Sequence, residues 1–456
     1  MVASAVVLPG LVFTSMSLSI AVLRGLLGAS VLLGIAILFS TNRKAIDWRL
    51  VGAGISIQLV FAVLILYTDT GATVFRAIGN GFDQVLSFTY DGSSFIFGPL
   101  GAQGGGDAGL GSIFAFQVLP TIVFFASLMG VLYHLGLIQP LVRGMSRFMA
   151  WAMRISGAES LAAAANVFIG QTEAPLVVEP YIEKMTRSEL MTLMTGGMST
   201  IAGGVLAAYI SFLGGDDPAA RAEFASHLLS ASIMSAPAAI VMAKILVPET
   251  ETSETYGDVE MSVEKDDGNV IEAAANGASE GLRLALNVGA MLLAFIALIA
   301  MLNYGLRLVG NPALFGTELY DLNALIASVT DGQFDSLSLE ALFGFVFAPL
   351  AWAMGVEAAD ALRFGTLLGE KIAVNEFVAF ASLGELKGVM SERSIIIGTY
   401  ALCGFANFSS IAIQIGGIGG IAPSRRSEIA ALGLRAVLGG ALASWLTATI
   451  AGVLVG

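Results

Sequence analysis

The sequence predicts an all-α polytopic membrane protein, with eight transmembrane helices plus two re-entrant helical hairpins in inverted repeats, and with interfacial helices. Three observations carry this. The 456-residue chain is 56% hydrophobic and 12% charged, with mean hydropathy +0.82, whereas soluble proteins carry about 25% charged residues. Eight charge-free runs approach or exceed the roughly 20 residues of a spanning helix: 25–42, 50–68, 108–142, 190–215, 224–243, 284–306, 394–424 and 436–456. Two more apolar stretches, 158–185 and about 356–388, are interrupted in their middles by Glu, Gln, Asn or Pro.

The runs are too continuously apolar for barrel strands, which alternate over about 10 residues, so a β-barrel is excluded along with a soluble enzyme. A formal charge of −13 without a basic stripe argues against nucleic acid, whose phosphates need clustered Lys and Arg. The one cysteine, Cys403, excludes intrachain disulfides and Cys-based zinc sites and reads as a small packing residue. His134 and His227 are far apart, outside any H-E-x-x-H pattern, and read as structural. The first 23 residues are uncharged, but the basic region that opens a signal peptide is absent. They are expected to form an extension leading into the first span.

Basic residues cluster at Arg43, Lys44 and Arg49, at Arg143, Arg147 and Arg154, at Lys184 and Arg187, and at Arg425 and Arg426. The positive-inside rule places them in the cytoplasm, with both termini and the Gly214–Glu223 connection outside. The stretch 248–281 then becomes a cytoplasmic loop, whose acidic composition is that of a flexible linker.

The interrupted stretches contain GQTEAP and GEKIAVNEF. Each half, at about 12–15 residues or roughly 18–22 Å of helix, stops short of a 30 Å hydrocarbon core. Re-entrant hairpins therefore fit better than spans. Glu173 is followed by Ser199–Thr200–Ile201–Ala202 and Glu376 by Ser409–Ser410–Ile411–Ala412, so hairpin, broken span and further span occur twice. The basic clusters make the first hairpin open inward and the second outward, an inverted repeat of the kind that marks a secondary transporter with a midplane site. Most glycines near the breaks, Gly196, Gly197, Gly203, Gly204, Gly404, Gly416, Gly417, Gly419 and Gly420, are explained by close helix packing. Thr200, Asn407 and Ser410 are not, and unwound backbone beside them can line a cavity or coordinate a cation.

Ionisable groups near a bilayer centre are costly and mark function. Glu173 and Glu376 stand at the hairpin tips, flanked by Gln171 and Thr172 and by Asn375. Amide, hydroxyl and carboxylate together offer donors and acceptors, suiting a polyhydroxylated or heteroaromatic ligand. Glu179, Glu183 and Glu370, near Lys184 and Lys371, read instead as structural. An intramembrane enzyme using Glu173 and Glu376 as acid and base is the competing class, but no Ser or Cys stands with a His and no metal set is visible. A passive channel is disfavoured by the broken-helix repeats.

The chain resembles the concentrative nucleoside transporters through Gly170–Gln171–Thr172–Glu173–Ala174–Pro175–Leu176, Gly369–Glu370–Lys371–Ile372–Ala373–Val374–Asn375–Glu376–Phe377–Val378–Ala379–Phe380 and Cys403–Gly404–Phe405–Ala406–Asn407–Phe408–Ser409–Ser410–Ile411–Ala412. The likeness runs from about residue 22 to the end. It implies a homotrimer in the cytoplasmic membrane whose protomers import nucleosides such as uridine or adenosine by cation symport, without a cofactor. Gln171, Thr172 and Glu173 would face the nucleobase, Glu376, Asn407 and Ser410 the ribose, and Phe405 and Val205 would line the same pocket. The family's sodium site would fall on Asn166, the carbonyls of Ile169 and Ile201, and the Thr200 hydroxyl, all oxygen ligands as a hard cation requires. Na⁺ is favoured, with H⁺ the alternative. The resemblance also divides the chain into an N-terminal extension with scaffold spans 1–3 (1–140), a first transport repeat (141–247), the acidic loop (248–281), scaffold span 6 (282–310) and a second transport repeat (311–456).

Overall fold

The computed structural model describes residues 18–103, 113–255, 259, 268–314, 317–318 and 320–455. The N-terminal extension up to residue 17 and most of the acidic stretch 256–267 lie outside them. Helices α1 (Leu18–Leu38) and α2 (Trp48–Ala62, continued by a π turn Val63–Tyr67) are the first two spans. Asp47 starts α2 by accepting the amides of Arg49 and Leu50, the N-cap device that satisfies otherwise unpaired helix donors. Then come α3 (Asp69–Phe97), the short α4 (Phe114–Gln117) and α5 (Leu119–His134). With Asp69, Arg76, Asp83 and Asp91, α3 contains no charge-free run, and it lies along the outer part of the fifth span through an Asp83–Arg221 ion pair at 2.5 Å.

Next is a unit made of α6 (Gln139–Met153), the first hairpin with α7 (Gly157–Asn166), a 3-10 segment Ala174–Val178 and α8 (Glu179–Ile182), the broken span α9 (Arg187–Ser199) and α10 (Gly203–Gly214), and the 29-residue α11 (Pro218–Leu246). Capping boxes start α7 and α9: Ser156 with Glu159, and Thr186 with Glu189. The 41-residue α12 (Val270–Gly310) follows, antiparallel to α5, with a two-residue ladder Ala313–Leu314 against Thr317–Glu318 and α13 (Leu322–Val329) after it. The α5–α12 contact is made by small residues, and Ser127 Oγ donates to the Ala274 carbonyl at 2.8 Å, as close helix approach in lipid favours.

The unit then recurs: α14 (Leu339–Ala353), a hairpin of α15 (Ala361–Ala373) and α16 (Glu376–Glu385), the broken span α17 (Glu392–Leu402) and α18 (Phe408–Ile421), and α19 (Arg426–Leu454), again 29 residues. The hairpins open at opposite ends. At the base of the first, Arg425 donates to the carbonyls of Ile182, Glu183 and Met185 at 3.3, 3.1 and 2.7 Å, and Ser188 Oγ to that of Val247 at 2.7 Å. At the base of the second, Lys387 donates to the carbonyl of Leu213, at the far end of the α9–α10 span, and Arg24 to that of Val356 at 2.6 Å. The basic clusters sit at the first end.

Seven helices among the described residues are long and apolar enough to cross a membrane. The eighth run, 394–424, is the span split into α17 and α18. Helices α7, α9 and α17 are almost wholly buried and α11 and α19 are buried along most of their length, whereas α1 and α12 present bare apolar flanks, with Leu23 66% and Leu293 76% exposed.

Three expectations are corrected. The stretch 248–281 is not a flexible linker throughout: Glu249 accepts from Thr186 and Lys244, Ser253 and Thr255 donate to Glu189, and Gly157 N donates to the Thr255 carbonyl at 3.0 Å. The acidic composition hides side chains already committed to caps. The sixth span begins twelve residues before 282, because Glu272, Glu280 and Arg283 lie on the same helix as the apolar run. The hairpin arms are also shorter than 12–15 residues on three of four sides, since the polar tips take up residues that the apolar count assigns to helix.

Candidate functional site

The site forms where the two broken spans cross. Gly404 has φ +130°, and a β-carbon there would lie 2.8 Å from both the Met198 carbonyl oxygen and the Ser199 carbonyl carbon. Only glycine combines that conformation with that approach, and the α17–α18 break is thereby seated on the last turn of α9. At Gly197 a β-carbon would meet that of Gln171 at 2.8 Å, so the first hairpin's tip settles on the same turn.

In the second repeat both the hairpin tip and the span break start their next helix with an asparagine cap, whereas α10 starts from Ala202 with no side-chain cap. Asn375 Oδ1 accepts the Val378 amide at 3.0 Å and Asn407 Oδ1 that of Ser410 at 2.9 Å. The N-termini of α16 and α18 therefore face the crossing, with the partial positive charge such ends carry. Glu376, the first residue of α16, receives Asn407 Nδ2 at 2.8 Å and the Tyr209 hydroxyl at 3.2 Å. Gln171 donates to Ser410 Oγ at 3.1 Å and accepts from Gln414 Nε2 at 3.2 Å, while Gln414 also donates to the Met194 carbonyl at 2.9 Å. Five of these side chains, Gln171, Glu376, Asn407, Ser410 and Gln414, are no more than 7% exposed. A continuous polar chain thus runs from one hairpin tip to the other through apolar surroundings.

Of the residues singled out in the sequence, Gln171, Glu376, Asn407 and Ser410 are hydrogen-bonded together. Thr172 and Glu173 lie beside them with exposed side chains, the Glu173 carboxylate folded over Gly170 rather than joined to Glu376. Val205 is buried one turn before Tyr209, and Phe405, half-buried, accepts the Asn407 amide on its carbonyl at 2.9 Å. Asn166, Ile169, Thr200 and Ile201 gather where the first hairpin meets the α9–α10 break, pinned by Gly203 N on the Phe168 carbonyl at 3.3 Å. Asn166 Nδ2 bonds the Ala162 carbonyl at 3.0 Å, leaving its buried Oδ1 unpartnered; Thr200 Oγ1 donates to the Gly196 carbonyl at 3.1 Å. Donation leaves the Thr200 oxygen's lone pairs free, so this corner holds oxygen acceptors suited to a hard cation.

Tyr209, Gln414 and the anchoring role of Lys371 were not legible in advance. Lys371 turns away from Glu370 and donates to the Ala401 carbonyl at 2.8 Å and Ser444 Oγ at 2.6 Å, tying the second hairpin to the last turn of α17. For Tyr209 and Gln414 the available signal was a polar side chain in a largely apolar helix. His227 contacts the Tyr400 hydroxyl at 3.1 Å and Cys403 is buried near Ser232. The aromatic residues Phe114, Phe116, Phe124 and Phe125 are used within the chain: Phe114 stacks on Phe212 and Phe125 on Phe82, Phe116 meets Phe97 at a tilt, and Phe124 meets Phe125 edge-on. The amphipathic α3 and the tip of α10 supply those partners.

Two oppositely opening hairpins, each paired with a broken helix and meeting in a buried polar network, define a membrane transporter of the inverted-repeat kind. The family profiles described as Na⁺ dependent nucleoside transporter N-terminus, nucleoside recognition, and Na⁺ dependent nucleoside transporter C-terminus match residues 27–100, 115–216 and 227–452. The uncharacterized transporter YutK of Bacillus subtilis is 44% identical, over 95% of this chain and 100% of that protein. The nucleoside permease NupC of Helicobacter pylori is 40% identical, over 94% and 97%. The structure of CNTnw in an inward-facing substrate-bound state matches with TM-score 0.82 at 40% identity, over 96% of this chain and 100% of that one, and a variant of CNTnw in an outward-facing state also gives 0.82, at 39% identity over 96% and 98%. The chain belongs to the concentrative nucleoside transporter family, a family of multi-pass membrane transporters and not of enzymes.

Proposed function

We propose that this protein is a secondary active symporter that imports nucleosides across the cytoplasmic membrane, driven by a sodium gradient, through alternating access of the two hairpin units. The observation that carries the reading is the hydrogen-bonded chain from Gln171 through Ser410 and Asn407 to Glu376. A nucleobase carries amide-like edges and a ribose carries hydroxyls; Gln171 with Thr172 and Glu173 matches the first, and Glu376 with Asn407 and Ser410 the second. Val205 and Phe405 supply the apolar wall. The relative shown in an inward-facing substrate-bound state and, as a variant, in an outward-facing one supports alternating access.

Sodium is preferred over the proton on the character of the corner beside the first hairpin. Asn166, Thr200 and the carbonyls of Ile169 and Ile201 are neutral oxygens that bind a cation without changing protonation, and the unpartnered Asn166 Oδ1 is the acceptor that such an ion would satisfy. The resemblance further supports a homotrimer with moving units 141–247 and 311–456; a purified transporter that reads as a monomer by mass in detergent would remove that part.

Coupling requires reciprocity: sodium should raise nucleoside affinity by a factor, and the nucleoside should raise sodium affinity by the same factor. Titration calorimetry of purified protein with uridine or adenosine, with and without sodium, measures it. Thr200→Val should remove most of the linkage while the protein still binds nucleoside. Linkage to pH in place of sodium, unchanged in Thr200→Val, would assign the coupling to H⁺ and to the carboxylates Glu173 and Glu376.

A further inference from the structure

The outward side of α6 takes no part in this site. Gln139, Val142, Ser146, Met149 and Met153 turn inward, while Leu141, Arg143, Arg147, Phe148 and Trp151 face outward, Trp151 78% exposed. Large apolar groups interleaved with guanidinium groups are the composition of a helix lying in the headgroup layer.

Beside Trp151 is an open cleft of about 710 Å³, lined by Arg49, Ala150, Trp151, Ala152 and Arg154. Arg49 comes from the first turn of α2 and Arg154 from the end of α6, where its left-handed backbone (φ 56°) stops the helix. No acidic residue lines the cleft, and neither arginine makes an ion pair among the described residues. The adjacent Asp47 carboxylate is occupied in capping α2. The cleft thus has two cationic walls, and it sits at the end of the molecule that also carries Arg43, Lys44 and Arg425. Basic pockets on the cytoplasmic side of membrane proteins are suited to anionic headgroups, and planar guanidinium groups to phosphate oxygens.

We propose that this cleft seats the phosphate of an anionic phospholipid of the cytoplasmic leaflet between Arg49 and Arg154, with the lipid's apolar part against Trp151 and Phe148. The exposed apolar flank continuous with the basic cleft favours a lipid over a soluble anion. Because Arg49 belongs to the second span and Arg154 to the element leading into the first hairpin, one lipid bridges the two.

The test is tryptophan quenching of the full-length protein in micelles containing brominated phosphatidylglycerol or brominated phosphatidylcholine, with the Trp151 signal isolated by difference from Trp151→Phe. Phosphatidylglycerol is expected to quench Trp151 several-fold more effectively at equal mole fraction. That preference should fall to about one in Arg49→Gln/Arg154→Asn, asparagine being tolerated in the left-handed conformation, and should persist in the charge-preserving Arg49→Lys/Arg154→Lys. If the double variant fails to elute as folded protein, the single variants carry the test, each expected to lose part of the preference. Equal quenching by both lipids in the wild-type protein, or a preference that survives removal of both arginines, would overturn the proposal. So would binding of inorganic phosphate to lipid-free protein that abolishes the lipid preference, which would make the ligand a soluble anion.

Discussion

Asn407 caps α18 and holds Glu376 at the same time: its Oδ1 accepts the Ser410 amide at 2.9 Å, and its Nδ2 donates to Glu376 Oε2 at 2.8 Å. The break in the α17–α18 span and the carboxylate at the second hairpin tip are therefore one structural unit. A hydrogen bond to a charged group contributes about 1.5–3 kcal/mol. Glu376→Gln should accordingly weaken nucleoside binding by about tenfold or more in a protein that still elutes as a folded species. Unchanged affinity by calorimetry would remove Glu376 from the site.

Gln414 is expected to act through Gln171. Its amide donates to Gln171 Oε1 and fixes which face of that side chain meets Ser410. Gln414→Leu should lower nucleoside affinity severalfold, and the effects of Gln414→Leu and Gln171→Ala should be non-additive by about 0.5–3 kcal/mol, the range for residues in one network. Strict additivity in the double-mutant cycle would show that the two amides do not cooperate.

The crossing of the breaks makes Gly404 intolerant. Gly404→Ala combines an unfavourable φ with a clash against the Met198 carbonyl, and such backbone strain costs on the order of 1–3 kcal/mol. Thermal unfolding in detergent should show a clear drop in Tm. Gly416→Ala is the control: a β-carbon at Gly416, inside α18, meets nothing within 4 Å, so its Tm should hold or rise. Equal Tm shifts for the two variants would contradict the packing described.

At the base of the first hairpin, Lys244 is paired with Glu159 at 2.8 Å, both nearly fully buried, and with the more exposed Glu249 at 3.3 Å. Stranding a buried charge costs about 3–5 kcal/mol; Glu249 remains in Glu159→Gln, so the loss should fall below that range. Adding Lys244→Met to Glu159→Gln should recover stability, because the buried ammonium, left with only the more distant Glu249, is then gone, while the partly exposed Glu249 keeps access to solvent. A double variant less stable than Glu159→Gln would contradict this.

The hairpins and the broken spans were legible because Gln171, Glu173, Asn375, Glu376 and Asn407 interrupt apolar sequence where a continuous span has no use for them. Their opposite openings followed from where Arg43, Lys184, Arg187 and Arg425 fall. Other features left no such trace. In α12 Arg283 ends the apolar run and Glu280 and Glu272 lie beyond it towards the N-terminus, but the helix continues through them, since a helix that leaves the hydrocarbon needs no break. In α3, charges spread along the chain concealed 29 residues of helix from any search for apolar runs. Tyr209 and Gln414 were missed because a single polar residue in an apolar helix acquires its meaning from a partner more than 160 residues away. The ring partners of the phenylalanines in α4 and α5 left no trace either, because the sequence does not reveal that Phe82, Phe97 and Phe212 lie opposite them.

Uptake by proteoliposomes tests the central claim most directly. Purified protein reconstituted into sealed vesicles, supplied with labelled uridine or adenosine, should accumulate nucleoside above the external concentration when an inward sodium gradient is imposed at fixed pH. Accumulation should collapse when sodium is equal on both sides and be strongly reduced in Glu376→Gln. Nucleoside that only equilibrates, or that accumulates with a proton gradient regardless of sodium, would contradict sodium-driven symport.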